Sequence, residues 1–403
     1  MNSFVPNAQA QVEAEFLSRT TPFPPYRTPE SVRYNLKWGK LTGRLSASVQ
    51  FEYNDNVNLS ETSPHEDFSI GPELGLGFLW PIDDVNVLQL DLGVGYRWYM
   101  NSPAISTVSI APSQKSHVDY HLLLGDVRIN VHDNFSTQVD PVSFGAVSGG
   151  AANLVNFRRF RNTAGLTADW RARRNLSFYG GYDYSIDRSL SSQFTNLDRD
   201  EHTMSAGMNW QASSRITAGV GAAYTITDYI QQVQNDGTSW SIGPRMSWKL
   251  SPFLTLDGSM AYSVSEFDNT GTIGDTDESR GLTYQFGLEH KINRNMSQYF
   301  RVSKNVDLGI GSNFTDVLSF QHGLNVMITS SISVGTTLAY ETLTSSGALG
   351  ETADRYLFSI GTGFQVTRYW SAGFAYALAW KDSNQAGRDY LQNRLTLDLT
   401  RRF

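Results

Sequence analysis

The chain has 403 residues, of which 40% are hydrophobic, 12% aromatic and 18% charged, with a formal net charge of −7 and no cysteine. So few charges exclude an extended disordered chain, the acidic balance argues against nucleic acid as a partner, and the missing cysteines exclude a disulfide scaffold and thiolate-held metals. No run approaches the roughly 18 consecutive apolar residues of a membrane helix. Gly, Ser, Thr, Asn and the aromatics recur evenly along the chain, which predicts one large repetitive architecture rather than several domains.

Residues 1–10 lack the charged start and apolar stretch of an export signal, yet Ala8-Gln9-Ala10 before Gln11 reads as a cleavage site. The segment 1–10 is therefore expected to be a signal-peptide remnant. Residues 11–33, with Pro22, Pro24, Pro25 and Pro29, fit neither strand nor helix and are expected to form a periplasmic arm or partial plug. The barrel is expected over 34–403.

From Leu41 the sequence alternates strictly. Leu45, Val49, Phe51 and Tyr53 fall on one face, and Arg44, Ser46, Ser48, Gln50 and Glu52 on the other. The pattern repeats over Phe68–Trp80, Leu88–Trp98, Ala164–Trp170, Leu176–Tyr184, Met204–Trp210, Ile216–Ile226, Trp240–Trp248, Leu254–Val264, Leu282–Leu288, Leu318–Ile328, Ile332–Tyr340, Tyr356–Val366, Trp370–Trp380 and Leu395–Phe403. Weaker runs fall near 116–131, 134–141 and 295–304. Short turns, such as Gln211–Ser214 and Lys249–Pro252, alternate with long polar loops, such as 54–66, 100–115, 187–200 and 304–314. Together these features predict an all-β, antiparallel, up-and-down transmembrane β-barrel of about 18 strands, with short periplasmic turns and longer extracellular loops.

A soluble sandwich would also alternate, but with a charged outer face. Here the polar face is mostly Ser, Thr, Gly, Ala and Gln. Trp80, Trp170, Trp210, Trp248 and Trp370 lie beside short turns, and Tyr53, Trp98, Tyr184, Tyr224, Tyr262, Tyr340, Tyr356 and Trp380 beside long loops. Two aromatic rows suit two membrane interfaces. The C-terminus is expected at the short-turn rim of a bacterial outer-membrane protein. There, Leu397, Leu399 and Phe403 resemble the signal read by barrel-assembly machinery.

The opening Tyr34-Asn35-Leu36-Lys37-Trp38-Gly39-Lys40-Leu41, leading to Glu52-Tyr53-Asn54-Asp55-Asn56-Val57, resembles the start of the β-barrel porin type 2 family; the hairpin from Phe157 to Ala172 is also similar. The resemblance implies an outer-membrane barrel of the kind often found beside exopolysaccharide secretion. It carries no catalytic residues.

The polar face should line the pore through Arg44, Glu52, Glu73, Asp91, Arg97, Asp169, Asp183, Arg245, Asp257, Glu289 and Glu341. This mixed-sign set, with carboxylates in excess, fits a wet pore preferring cations or neutral solutes. Small residues on the same face, among them Gly75, Gly77, Gly93, Gly95, Gly219 and Gly221, either widen the bore or admit close packing. The Gly/Ala-rich connection 141–156, with Phe144, Gly145, Gly149 and Gly150, is the candidate constriction loop.

Acidic loops could hold divalent cations bridging to lipopolysaccharide, but Asp275-Thr276-Asp277-Glu278 lacks the glycine and spacing of a calcium loop, so no metal or other cofactor is expected. The seven histidines look scattered, and no nucleophile, zinc or phosphate-loop motif is present, so no enzyme is expected.

Three functions follow. The first is an outer-membrane outlet for a secreted polysaccharide, working with a periplasmic export protein. The others are a passive diffusion porin for small hydrophilic solutes and a closed structural or adhesive barrel. Outer-membrane lipid and lipopolysaccharide are the surrounding partners in each.

Overall fold

The computed structural model describes residues 35–103, 106–110, 116–138, 159–347 and 350–403. The expectations for 1–10 and 11–33 lie outside these residues. Among these residues twenty strands follow in chain order: β1 (Leu36–Trp38), β2 (Leu41–Asn54), β3 (Asp67–Pro81), β4 (Val87–Tyr99), β5 (Thr107–Ile110), β6 (Ser116–Leu124), β7 (Val127–Gln138), β8 (Arg159–Arg173), β9 (Leu176–Ser189) and β10 (Arg199–Gln211). They continue as β11 (Ile216–Tyr229), β12 (Gly237–Ser251), β13 (Leu254–Phe267), β14 (Ser279–Asn293), β15 (Met296–Leu308), β16 (Phe314–Met327), β17 (Ile332–Ser345), β18 (Thr352–Gln365), β19 (Trp370–Ser383) and β20 (Tyr390–Arg402).

Each pairs antiparallel with its neighbours, and β2 pairs with both β3 and β20, which closes the sheet. Closure matters because an open edge in hydrocarbon would leave backbone groups unpaired.

The twenty strands make eighteen staves. β5 and β6 lie in line along β4: Ile110 stands opposite Val94 and His117 opposite Asp91, so the stave advances further than its partner between them. β1 occupies the part of the β2 edge that β20 does not reach. Leu36 pairs with Gly43, while β20 begins its pairing at Ser46 with Arg402. The turns closing β1–β2 and β6–β7 begin with Gly39 and Gly125, at φ +61° and +60°, the left-handed region that glycine enters without a Cβ penalty. The second turn divides the weak run 116–131 into two strands. β5 lies within the expected loop 100–115, and β15 extends to Leu308, so the expected loop 304–314 shrinks.

The burial pattern is that of a soluble core turned outward. Among the largest fully buried side chains are Arg355, Gln89, Gln234, Glu341, Asn56 and Asn130, while Leu74, Trp98, Trp170, Ile242 and Leu338 are exposed. A sandwich in water would show the reverse. Rings meet along the outer surface where Phe320, Tyr340, Tyr356 and Trp380, on four successive staves, lie 6.2, 5.1 and 4.9 Å apart centre to centre. The apolar exterior and closed wall are those of a bacterial outer-membrane barrel. Leu74 faces outward at mid-height of β3. Leu74→Arg should cost about 2–4 kcal/mol in a bilayer-based unfolding titration.

Candidate functional site

The inner wall is laced by charged side chains that reach over an intervening stave, and glycines make the crossings passable. Arg44 of β2 meets Asp91 of β4 at 2.6 Å across β3 at Gly77, where a Cβ would come 2.5 Å from the Asp91 carboxylate and 3.3 Å from Arg44 Nε. Arg97 of β4 passes Gly71 in the opposite direction to donate to Gln50 of β2, and lies 3.8 Å from Glu52. His132 of β7 meets Asp183 of β9 at 2.7 Å across Gly165 of β8. Arg245 of β12 donates through Nε to Asn209 of β10 at 2.9 Å across Gly219 of β11, and lies over the Tyr179 ring at 5.2 Å. Gly71, Gly77, Gly165 and Gly219 thus serve as saddles for cross-stave contacts.

Two of these crossings join into one polar chain. His117 of β6 lies 3.6 Å from Asp91 and 3.3 Å from Asp119. Asn130 of β7 donates to Asp119 at 3.1 Å, and its amide oxygen lies 3.0 Å from His132 Nδ1. From Arg44 to Asp183 the inner wall therefore carries an unbroken series of polar partners. His117, His121 and His132, which look scattered in sequence, converge here. The register set by the Gly125 turn places Asp119 opposite His132 and His121 opposite Asn130.

Nearer the long-loop rim, Arg159 and Arg199 share Asp187 at 3.1 and 3.2 Å, and Glu201 receives Arg199 at 2.9 Å and Arg161 at 3.3 Å. On the far side, Arg355 of β18 donates through Nε to Glu341 of β17 at 2.8 Å, with both side chains almost wholly buried. The loop carboxylate Glu351 receives Lys381 at 2.6 Å, Arg388 at 3.2 Å and the Ser383 hydroxyl at 2.6 Å. Burial pushes the Glu351 carboxyl up, but these cations and the hydroxyl together hold it below the usual carboxylate range.

A lowered folded pKa gives stability that is full above the ordinary carboxylate value and is lost as pH falls through the folded one. Hydrogen exchange at 350–352 and 383–389, corrected for intrinsic rate, should therefore stay slow at pH 5 and accelerate below about pH 4. Glu351→Gln should show the acid-state exchange already at neutral pH.

Among the described residues, several long loops pack against this wall or against one another. The first, between β2 and β3, turns inward. Asp55 accepts from the Asn393 backbone at 2.7 Å and from its side-chain amide at 2.6 Å, and Gln392 donates to the Asn56 carbonyl at 2.9 Å. Leu59, at φ +46°, then packs against inward Ala339, Leu357, Ala379 and Tyr390 of four successive staves. A non-glycine residue there is strained and needs tertiary support.

Other loops interlock. Asn235 donates to the Asp275 carbonyl and to Asn313, both at 2.8 Å. The Asp275 carboxylate accepts from Asn313 N at 2.7 Å, the Ser346 hydroxyl at 2.6 Å and Asp277 N at 2.9 Å. The acidic run 275–278 thus supplies a buried hydrogen-bond hub. A 3₁₀ helix at Ser192–Leu197 packs Leu197 and Phe194 with Ile310, joining loops six staves apart.

With this geometry, the chain is similar to solved proteins of Pseudomonas aeruginosa. The structure of OpdK with vanillate has a TM-score of 0.51 and 11% identity, over 90% of this chain and 99% of that one. The structure of OccK2 (OpdF) in complex with glucuronate has a TM-score of 0.52 and 8% identity, over 90% and 98%. OccK5 (OpdH) gives 0.51 and 12%, over 90% and 98%. These likenesses show the fold, a porin-type barrel. No family model matches the sequence, and no curated protein matches it. The resemblance to the β-barrel porin type 2 family thus rests on its short motifs alone, while the coarser likeness to a porin barrel holds.

The residues expected to line the pore all belong to strands and share the inward phase, but they do not form one site. Arg44 and Asp91 join, as do Arg97 and Glu52; Asp183 and Glu341 take partners absent from the expected set, His132 and Arg355. Asp169, Asp257 and Glu289 stand opposite Tyr179, Gly287 and Tyr299, and Glu73 opposite Gly95. Phe144, Gly145, Gly149 and Gly150 lie outside the described residues. Among the described residues, 55–60 turn onto the inner wall, while 61–66 are exposed.

Proposed function

We propose that the protein is a selective diffusion channel of the bacterial outer membrane for small hydrophilic solutes. The observation that carries this reading is the inner wall: a closed lining of paired charges, amides and hydroxyls inside an apolar exterior. Such a lining offers a passing solute replacements for its hydration shell at fixed positions, which is how a pore discriminates. The stretch 55–60, with Leu59 against four staves, takes up part of the bore and so favours small molecules. That OpdK and OccK2 were solved with vanillate and glucuronate, both small and polar, is in keeping with this.

A polysaccharide outlet with a periplasmic export protein would need a bore free of that loop, and only the short sequence motifs favour it. The surrounding partners on our reading are outer-membrane lipid and lipopolysaccharide. Leu397, Leu399 and Phe403, outward on β20 and at its end, would face the assembly machinery. Proteoliposome swelling tests the proposal. Mono- and disaccharides should enter and long oligosaccharides should not; liposomes that fail to swell in any sugar would overturn it.

A further inference from the structure

The short turns of the periplasmic rim differ in charge around the barrel. From β8 to β15, eight successive staves, the turns 173–175, 212–215, 249–253 and 291–295 hold Arg173, Arg174, Arg215, Lys249, Lys291 and Arg294 and no carboxylate. Among the described short turns, carboxylates stand only on the other side of the rim, at Asp83, Asp84 and Asp126. All six cations are exposed, and among the described residues none of them forms an ion pair. Residues 1–33 hold three arginines and three glutamates, so they bring no net countercharge. In a chain of net charge −7, this arc concentrates unneutralised positive charge.

The backbone joins the turns into one ridge. Gln211 N donates to the Asn175 carbonyl and Lys249 N to the Arg215 carbonyl, both at 2.8 Å, and Lys291 N donates to the Phe253 carbonyl at 2.7 Å. Arg215 and Lys249 thus stand side by side, a like-charge pairing that costs free energy unless an anion lies against it. The same turns expose Phe253 and Ile292, at 60 and 40%, and the exposed Trp170, Trp210 and Trp248 lie a few residues away along the strands. Apolar side chains interleaved with cations beside a tryptophan row belong at the depth of lipid headgroups rather than in free water.

We propose that this arc binds anionic phospholipid headgroups of the periplasmic leaflet, such as phosphatidylglycerol. A phosphodiester offers one negative charge and paired acceptor oxygens that match the fork of a guanidinium. Long Arg and Lys stems reach the phosphate while their methylenes stay against the apolar rim. A soluble polyanion would satisfy the cations but leave Phe253 and Ile292 in water. Because Asp83, Asp84 and Asp126 occupy the other side of the rim, the anionic lipid is held on one side of the barrel.

The test uses the full chain folded into phosphatidylcholine bilayers, with spin-labelled phosphatidylglycerol or spin-labelled phosphatidylcholine as the probe. The motionally restricted lipid at the barrel should favour phosphatidylglycerol by about twofold or more, and the preference should vanish at about 1 M salt, where the Debye length is about 3 Å. Arg173→Gln/Arg174→Gln/Arg215→Gln/Lys249→Gln should lose the preference, whereas Lys37→Gln/Lys40→Gln, on the Gly39 turn, should keep it. Each variant is first checked for native barrel by heat-modifiable migration. Equal association of the two lipids with the wild type, or a preference that the fourfold variant retains, overturns the proposal. So does a wild type that shows no lipid preference yet retains polyglutamate through these cations, which would make the arc the dock of an acidic soluble partner.

Discussion

Replacing Glu341 with glutamine should destabilise the barrel by about 3–5 kcal/mol, the cost of leaving one member of a buried ion pair without its partner. Arg355 is 1% exposed and Glu341 1%, and both Nε and Nη2 of Arg355 donate to the same carboxylate oxygen. Once Glu341 is neutral, the guanidinium keeps its charge in a place where water barely reaches, between β17 and β18. The double variant Glu341→Leu/Arg355→Met removes both charges and should recover most of the loss, because a well-packed apolar pair often equals a buried salt bridge. Equilibrium unfolding in urea with the barrel in lipid vesicles reads both numbers. A loss below about 1 kcal/mol for Glu341→Gln would mean that solvent reaches the pair.

The second large effect concerns that loop. Replacing residues 57–64 by two glycines should raise single-channel conductance about twofold or more, because it removes Leu59, which packs against the inner faces of four staves. Its anchor is specific: Asp55 to Asn393 and Asn56 to Gln392 hold the base, and Leu59 covers Ala339, Leu357, Ala379 and Tyr390. Because Asp55 and Asn56 are retained, the β2–β20 seam is left intact. Unchanged conductance in a correctly folded variant would show that the loop lies beside the solute path rather than across it.

The alternation from Leu41 onward is enough to reveal the fold, because a wall with lipid on one side and a polar interior on the other imposes period two on every strand. The Trp80 and Trp98 rows then mark the two interfaces. What the sequence conceals is chemistry that depends on register. His132 and Asp183 are 51 positions apart, and their meeting needs both the Gly125 turn and the saddle at Gly165. With that turn recognised, Asp119 and His132 could have been paired from the sequence, since a two-residue hairpin fixes every partner after it. Arg355 escaped notice because a lone arginine inside a strand looks the same whether it lines water or a buried pair. The inward course of 55–60 was likewise hidden: Val57 and Leu59 are the only cues in an otherwise polar loop, and they acquire meaning only against the small residues of β17 and β19.

The central claim is that the paired-charge interior is a conducting aqueous path. Planar-bilayer recording of the purified wild-type chain in potassium chloride tests it most directly. The account predicts stable, ohmic unitary steps whose size grows in the 57–64 replacement. A protein that folds and inserts yet leaves the bilayer insulating, with and without that segment, would contradict it.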